Sequence, residues 1–184
     1  MKSYQAFFPV ILAVFASIIY IFTAAPFMLW LDSARFVAAI VTLGIANPPE
    51  PLYVLLAHPF IYLPFGSVIF KIQIFSALTA SFTLVLIYYF VYQLIQSLAP
   101  PNFTSQKDSK LKIILAATFS FLMMAFSYQF WSQAQNVENF ILVTFIEVVI
   151  LILLFKSISK KSVFINLCLI ALIFGLATGT NPVI

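Results

Sequence analysis

Residues 68–95 read VIFKIQIFSALTASFTLVLIYYFVYQLI, and this stretch decides the fold. It carries one charged side chain, Lys71, and contains neither proline nor glycine. A helix that crosses the roughly 30 Å hydrocarbon layer of a bilayer needs about 20 apolar residues. The stretch therefore predicts a transmembrane helix.

Four further segments are apolar enough to cross a bilayer in the same way, namely residues 7–30, 113–131, 139–155 and 163–178. The first resembles a signal peptide, because Lys2 precedes it and two alanines lie near its end. Its apolar run is longer than the usual 7–15 residues of a signal peptide core, which indicates a retained helix. The sequence predicts an all-α polytopic membrane bundle with five transmembrane helices.

The composition supports this fold class and excludes several others. Hydrophobic residues make up 64% of the 184 residues and charged residues only 8%, against about 25% charged in soluble domains. A soluble fold, a disordered tail and a nucleic-acid-binding domain are excluded. The single cysteine, Cys168, excludes an intramolecular disulfide and a cysteine-based metal cluster. No residue pattern indicates a bound metal or a cofactor.

The basic residues predict the orientation in the cell membrane. Seven of the nine lie before the first segment, between the second and third, or between the fourth and fifth; they are Lys2, Lys107, Lys110, Lys112, Lys156, Lys160 and Lys161. We expect that side, with the N-terminus, to be cytoplasmic. The acids Asp32, Glu50 and Glu138 then lie on the extracytoplasmic side, and so does the C-terminus.

The first extracytoplasmic loop is apolar but interrupted by five prolines between residues 48 and 64. No uninterrupted run in it approaches the length of a membrane span. Apolar segments that are too short to span usually lie along the interface. We therefore expect two short juxtamembrane helices, at residues 33–45 and 52–63, with Asp32 or Ser33 as the N-cap of the first.

Asp32 is the first candidate for chemistry, since an acid at the membrane face can accept a proton from an acceptor hydroxyl. Its structural alternative is a helix cap. Arg35 lies one helical turn later and can bind a phosphate or pair with Asp32. Lys71 can hold a lipid phosphate or extend its amine to the interface.

Glu138 precedes the fourth segment and either faces the same cavity as Asp32 or serves the start of a helix. Glu147 lies at mid-membrane depth, where an acid is costly and usually functional or paired; we read it as a packing or relay residue. His58 stands in an apolar segment without a second ligand nearby, which favours a filling role.

Several stretches together resemble a family of bacterial membrane proteins related to protein O-mannosyltransferases, in the GT-C glycosyltransferase superfamily. They are LDSAR at 31–35, TLGIANPP at 42–49, PLYVLL at 51–56, LPFG at 63–66, FSAL at 75–78, FWSQA at 130–134, Glu138 and GLA at 175–177. The resemblance runs nearly end to end and is most specific between Asp32 and Gly66.

The resemblance implies transfer of a sugar from a polyprenyl-phosphate donor to an acceptor hydroxyl at the extracytoplasmic face. It implies a catalytic acid at Asp32, which Glu138 can assist. Arg35, Lys71, Asn47 and Tyr53 are the corresponding candidates for substrate binding. The expected partners are the lipid-linked donor and membrane lipid, with no cofactor, no metal and no nucleic acid.

The sequence departs from the family pattern at identifiable positions. The family shows Asp-Ser-Gly-Glu where this chain has Asp32-Ser33-Ala34-Arg35, and it shows two histidines that are absent near Asn47 and Asn181. The basic Arg35 favours an alternative, a non-catalytic subunit of the same fold. Glu147 favours a second alternative, a transporter or flippase. Because the family continues through further helices, we expect residues 1–184 to form a single module, the N-terminal part of a longer protein.

Overall fold

The computed structural model describes residues 3–24, 31–43, 50–100, 107–158 and 163–180. These residues form α-helices joined by short links, and no strand occurs among them. The helices are α1 (Ser3–Phe22), α2 (Leu31–Thr42), α3 (Pro51–Ala57), α4 (Val68–Leu98), α5 (Lys107–Ala125), α6 (Tyr128–Gln135), α7 (Phe140–Ile158) and α8 (Val163–Ala177), with a 3₁₀ turn, His58–Tyr62, directly after α3. The predicted all-α class is confirmed.

Two helices, α4 and α7, are long and apolar enough to cross a membrane, and α5 with α6 forms a third candidate if the bent pair is one span. The described apolar parts of α1 and α8 are shorter. Large apolar side chains point outward on several helices; Phe22 is 87% and Phe164 79% exposed, as expected where lipid replaces water. Two or three apolar spans are therefore established, and the five crossings stay a prediction.

Helix α4 is the centre of the bundle. Its 31 residues extend over about 46 Å, longer than the hydrocarbon layer requires. Its small residues Ala77 and Ala80 are buried, which allows α1 to approach closely. At this contact the hydroxyl oxygens of Ser17 and Ser81 lie 2.6 Å apart. This contact joins α1 to α4 by a hydrogen bond inside an otherwise apolar interface.

The third predicted span is broken, which corrects the expectation of a continuous helix over 113–131 followed by a turn. The chain bends by 62° between α5 and α6, and α6 continues to Gln135. Ser127 lies at the break, where its backbone is extended and its hydroxyl donates to the Met124 carbonyl at 2.9 Å. The Tyr20 hydroxyl donates to the Ala125 carbonyl at 2.8 Å, which satisfies a carbonyl at the helix end.

The two short helices expected at 33–45 and 52–63 are confirmed as α2 and as α3 with its 3₁₀ turn. Pro51 occupies the first turn of α3, where its missing N–H costs no helical hydrogen bond. Helix α2 begins at Leu31, so Asp32 and Ser33 lie within its first turn, and neither precedes the helix as an N-cap. The orientation of α2 and α3 along the membrane plane stays a prediction.

The described residues form two clusters of buried apolar side chains, and the one that we call the second core cluster packs the short helices against the N-terminal end of α4. It combines apolar residues of α2, α3, α4 and α7 with the end of α8; they include Phe36, Ile40, Tyr53, Val54, Ile72, Phe75, Val137, Leu142 and Ala177. The backbone N–H of Leu52 donates to the Gly179 carbonyl at 2.9 Å, which fixes α3 to the turn after α8. The candidate site lies within this packing.

Candidate functional site

Buried polar side chains concentrate at this end of the bundle, although the surrounding core is apolar. We call them the buried polar cluster: Ser33, Glu50, Tyr53, Gln73, Ser76, Asn136, Glu138, Asn139 and Thr180, each at most 8% exposed. Burial of polar groups is costly unless they are bonded or serve a function. The concentration marks this end of the bundle as the candidate site.

Tyr53 lies at the middle of the cluster and is fully buried. Its ring meets Phe36 at 5.2 Å between centroids and Phe75 at 5.7 Å, so α2 and α4 hold it from two sides. Burial raises the pKa of the Tyr53 phenol well above its usual value, and the nearby charge of Glu138 raises it further, while Ser76 acts in the opposite direction. Tyr53 therefore stays neutral beside Glu138.

Three hydroxyls of the cluster make no hydrogen bond of ordinary geometry with any described residue. They belong to Ser33 on α2, Tyr53 on α3 and Ser76 on α4. The Tyr53 hydroxyl lies near Ser76 and within electrostatic range of the Glu138 carboxylate. Such a group of hydroxyls can donate to the carboxylate or to a bound molecule after small side-chain rotations.

Glu138 lies in the link between α6 and α7 and is 8% exposed. It immediately precedes the first turn of α7, where the helix dipole stabilises negative charge. The adjacent Asn139 donates from Nδ2 to the Thr180 carbonyl at 2.6 Å, a buried bond that holds this link against the turn after α8. Glu138 is thus held in place by its neighbour in the chain.

Of the predicted site residues, Tyr53 and Glu138 lie close enough for the Glu138 charge to raise the pKa of the Tyr53 phenol. Asp32 lies in the first turn of α2, one turn before Phe36, and its side chain is outside the described part of the structure. Asn47 also lies outside the described residues. Arg35 is exposed on α2, with its guanidinium carbon 5.6 Å from the centroid of the Phe36 ring.

The Lys71 side chain contacts the 3₁₀ turn that precedes α4. Its Nζ donates to the Ile61 carbonyl at 3.1 Å and so stabilises the end of the 3₁₀ turn. Ser76 follows five residues later on α4, a rotation of about 140° around the helix axis, and Gln73 is about 200° away. The structure therefore places the Lys71 side chain on a different helix face from these two cluster residues.

His58 has a defined place that the sequence did not predict. Its Nδ1 lies 2.6 Å from the Ile40 carbonyl, and its Nε2 lies 3.2 Å from the Tyr62 hydroxyl. With Nδ1 protonated, it donates to a carbonyl of the last turn of α2 and accepts from Tyr62. The four-residue spacing of His58 and Tyr62 was the only sequence signal for this contact. His58 joins α2 to the 3₁₀ turn.

An acid beside neutral hydroxyls, at the end of an apolar helical bundle, can take up or release a proton during a reaction. The fold and the site together define a helical membrane module with an acid-bearing site at one end.

Comparison with known proteins gives the family. A family model described as "Protein O-mannosyl-transferase TMEM260 N-terminal domain" matches residues 32–184. The match covers most of the chain, and the chain belongs to this family. It begins at Asp32 and includes every residue of the buried polar cluster. No curated protein and no solved structure matches the chain.

Proposed function

We propose that the chain is the N-terminal module of a membrane glycosyltransferase that moves mannose from a polyprenyl-phosphate donor to an acceptor hydroxyl at the extracytoplasmic face. The family description supports the mannosyl transfer, and the apolar helices support a lipid-linked donor. One observation carries the proposal most strongly. The end of the bundle that holds α2, with Asp32 in its first turn, also buries Glu138 within electrostatic range of the Tyr53 hydroxyl.

In the proposed reaction, the acceptor oxygen attacks the anomeric carbon of the sugar, and the bond from that carbon to the phosphate oxygen breaks. The electron pair of that bond leaves with the polyprenyl phosphate, and the acceptor proton passes to Asp32. Glu138 supports this proton transfer as the second carboxylate. The exposed charge of Arg35 stabilises the departing phosphate, as cationic groups do at developing negative charge, whereas Lys71 is occupied by its bond to the Ile61 carbonyl.

The remaining substrate residues have different parts in this proposal. Asn47, which precedes α3 in the sequence, contacts the donor directly. Tyr53 is fully buried and its ring packs against Phe36 and Phe75, so in this proposal it shapes the core of the site and does not contact the donor.

Transfer of radiolabelled mannose in membranes tests the proposal. The assay uses this chain together with whatever sequence follows Ile184 in its own gene, and polyprenyl-phosphate mannose as the donor. Asp32→Asn should lower the transfer rate by a factor of about 10² to 10⁴, the usual contribution of a general base. The matched control is Asp108→Asn. Asp108 also lies in the first turn of a helix, α5, but α5 follows the C-terminal end of α4, whereas α2 and α3 pack at the N-terminal end of α4.

Asp108→Asn should transfer at the wild-type rate. Full transfer by Asp32→Asn would overturn the assignment of the base. No transfer by the wild-type protein, with verified donor and folded protein, would overturn the function itself.

A second candidate function is a non-catalytic subunit that keeps the lipid-binding fold. It is favoured by Arg35, which stands where the related family carries an acid, and by the exposure of that side chain. The same assay separates the two, since a non-catalytic subunit transfers no mannose but still binds the polyprenyl-phosphate donor.

A further inference from the structure

A groove of about 400 Å³ lies between the bend that joins α5 to α6 and one face of α7. On α7 it is lined by Phe140, Val143, Thr144 and Glu147, which share one face by their spacing of three and four residues, and also by the buried Ile141. Leu142 and Ile146 face the core instead. The groove is therefore separate from the second core cluster.

Glu147 gives the groove its charge. It lies in the third turn of α7, about 10 Å from the helix start, and its side chain is exposed. The other residues that line the groove in the described part of the chain include no Lys or Arg. An acid in an apolar spanning helix is costly unless it faces a cavity and serves a ligand or an ion pathway.

The polar groups of the groove offer acceptors. The Ser127 hydroxyl donates its hydrogen to the Met124 carbonyl at 2.9 Å, and the Thr144 hydroxyl donates to the Phe140 carbonyl at 3.0 Å. Their oxygens keep only lone pairs for a ligand. The Glu147 carboxylate is an acceptor as well, and the buried Oε1 of Gln133 has no hydrogen-bond partner. Gln129 and Gln133 also line the groove, and their side-chain amides add N–H donors to these acceptors. A molecule that fits this groove must therefore supply several donors and can also accept hydrogen bonds.

We propose that the groove binds the hydroxyl groups of a sugar, so that it forms a mannose subsite of the proposed transferase. A sugar has several O–H donors spread over its ring, and the acceptors here come from the link before α6, from α6 and from α7. An ammonium group brings its donors to one point, which fits dispersed acceptors less well. Phe140, which is 51% exposed, offers an apolar surface to the C–H face of the ring. This inference rests on the proposed function for the choice of mannose.

A binding experiment tests the proposal without requiring catalysis. Saturation-transfer NMR measures the binding of methyl α-mannoside to the detergent-solubilised chain. Glu147→Gln keeps the size of the side chain and removes its charge, and it should weaken binding about tenfold, as expected for loss of a charge-assisted hydrogen bond. Thr144→Val should weaken binding by a smaller factor. Both variants are checked for wild-type helix content by circular dichroism.

The matched control is Ser120→Ala. Ser120 also donates to a carbonyl one turn back, that of Ala116, but it does not line the groove. The control should bind the mannoside within twofold of the wild type. Added polyprenyl-phosphate mannose should displace the mannoside if the groove holds the donor sugar; no displacement would assign the groove to a sugar of the acceptor.

Three results would overturn the proposal: no binding of the mannoside, binding that is unchanged in both groove variants, or stronger binding of ethanolamine than of the mannoside. The outcome is separable from that of the transfer assay. Binding that depends on Glu147 without mannose transfer would remove the function and leave a sugar site. Transfer together with binding independent of Glu147 would remove the sugar site alone.

Discussion

Replacing Tyr53 by Phe should make the protein more stable, which is unusual for a buried residue. The change removes only the hydroxyl, which is fully buried and makes no hydrogen bond of ordinary geometry with a described residue. The ring keeps its contacts with Phe36 and Phe75. A buried hydroxyl without a partner costs about 1–3 kcal/mol, and weak attraction to Ser76 offsets part of this. We expect a net gain of about 1 kcal/mol.

For a chain of this length, that gain corresponds to a rise in Tm of about 2–4 °C. Thermal unfolding in detergent, followed by circular dichroism, measures it. The control is Tyr128→Phe, because Tyr128 is 86% exposed and its change should leave Tm nearly unaltered. A fall in Tm of several degrees in Tyr53→Phe alone would show that the hydroxyl makes a stabilising bond, which would refute this reasoning.

The same variant predicts the response to alkali. Burial and Glu138 raise the pKa of Tyr53 in the folded protein, so the unfolded chain, with its tyrosine pKa near 10, loses the proton first. Ionisation of Tyr53 therefore leaves the stability of the wild type unchanged below about pH 10 and lowers it as the pH rises further. Between about pH 8 and pH 11, Tyr53→Phe should lose less stability than the wild type, and equal losses would contradict the assignment.

Two further predictions concern the turn before α4 and the orientation in the membrane. Gly66→Ala should destabilise the fold by about 1–2 kcal/mol or more, because Gly66 has a φ of +78° and a Cβ there would lie 2.6 Å from the Phe70 ring. The control is Gly175→Ala, which should be neutral or stabilising because Gly175 lies in helical backbone and its Cβ would meet nothing within 4 Å. Equal effects of the two substitutions on stability would contradict this prediction. The orientation is tested in a Cys168→Ser background, which removes the exposed cysteine. Tyr128 and Leu98 are both well exposed and lie at opposite ends of the bundle, so an impermeant thiol reagent added outside cells should label Tyr128→Cys and not Leu98→Cys. The reverse labelling pattern would invert the predicted topology.

The sequence predicted the helical elements well because the length of each apolar run, and prolines at the ends of the short ones, fit one kind of segment. The prolines around Asn47 and at Pro64 separated α2 from α3 and α3 from α4. The bend at Ser127 was missed, because one serine among apolar and aromatic residues gives little signal for a break. The extended backbone of Ser127 and its hydrogen bond to the Met124 carbonyl are visible only in the structure.

Side-chain directions in the long helices were harder to predict. Helix α7 is apolar on all faces, since both lipid and protein core accept apolar side chains. The sequence therefore does not distinguish the face with Leu142, which packs in the core, from the face with Glu147, which lines the groove. Lys71 is a similar case: its position at the start of α4 was predicted, but its bond to the Ile61 carbonyl depends on how the preceding turn folds back.

The central claim is that the end of the bundle formed by α2, α3 and the start of α4 performs sugar transfer with Asp32 as the proton acceptor. The most direct measurement compares donor binding and mannose transfer in the same Asp32→Asn membranes, with a photoactivatable polyprenyl-phosphate mannose to quantify binding. The account predicts donor labelling at the wild-type level and transfer reduced at least about 100-fold. Wild-type transfer in this variant, or loss of labelling and transfer in equal proportion, would contradict it.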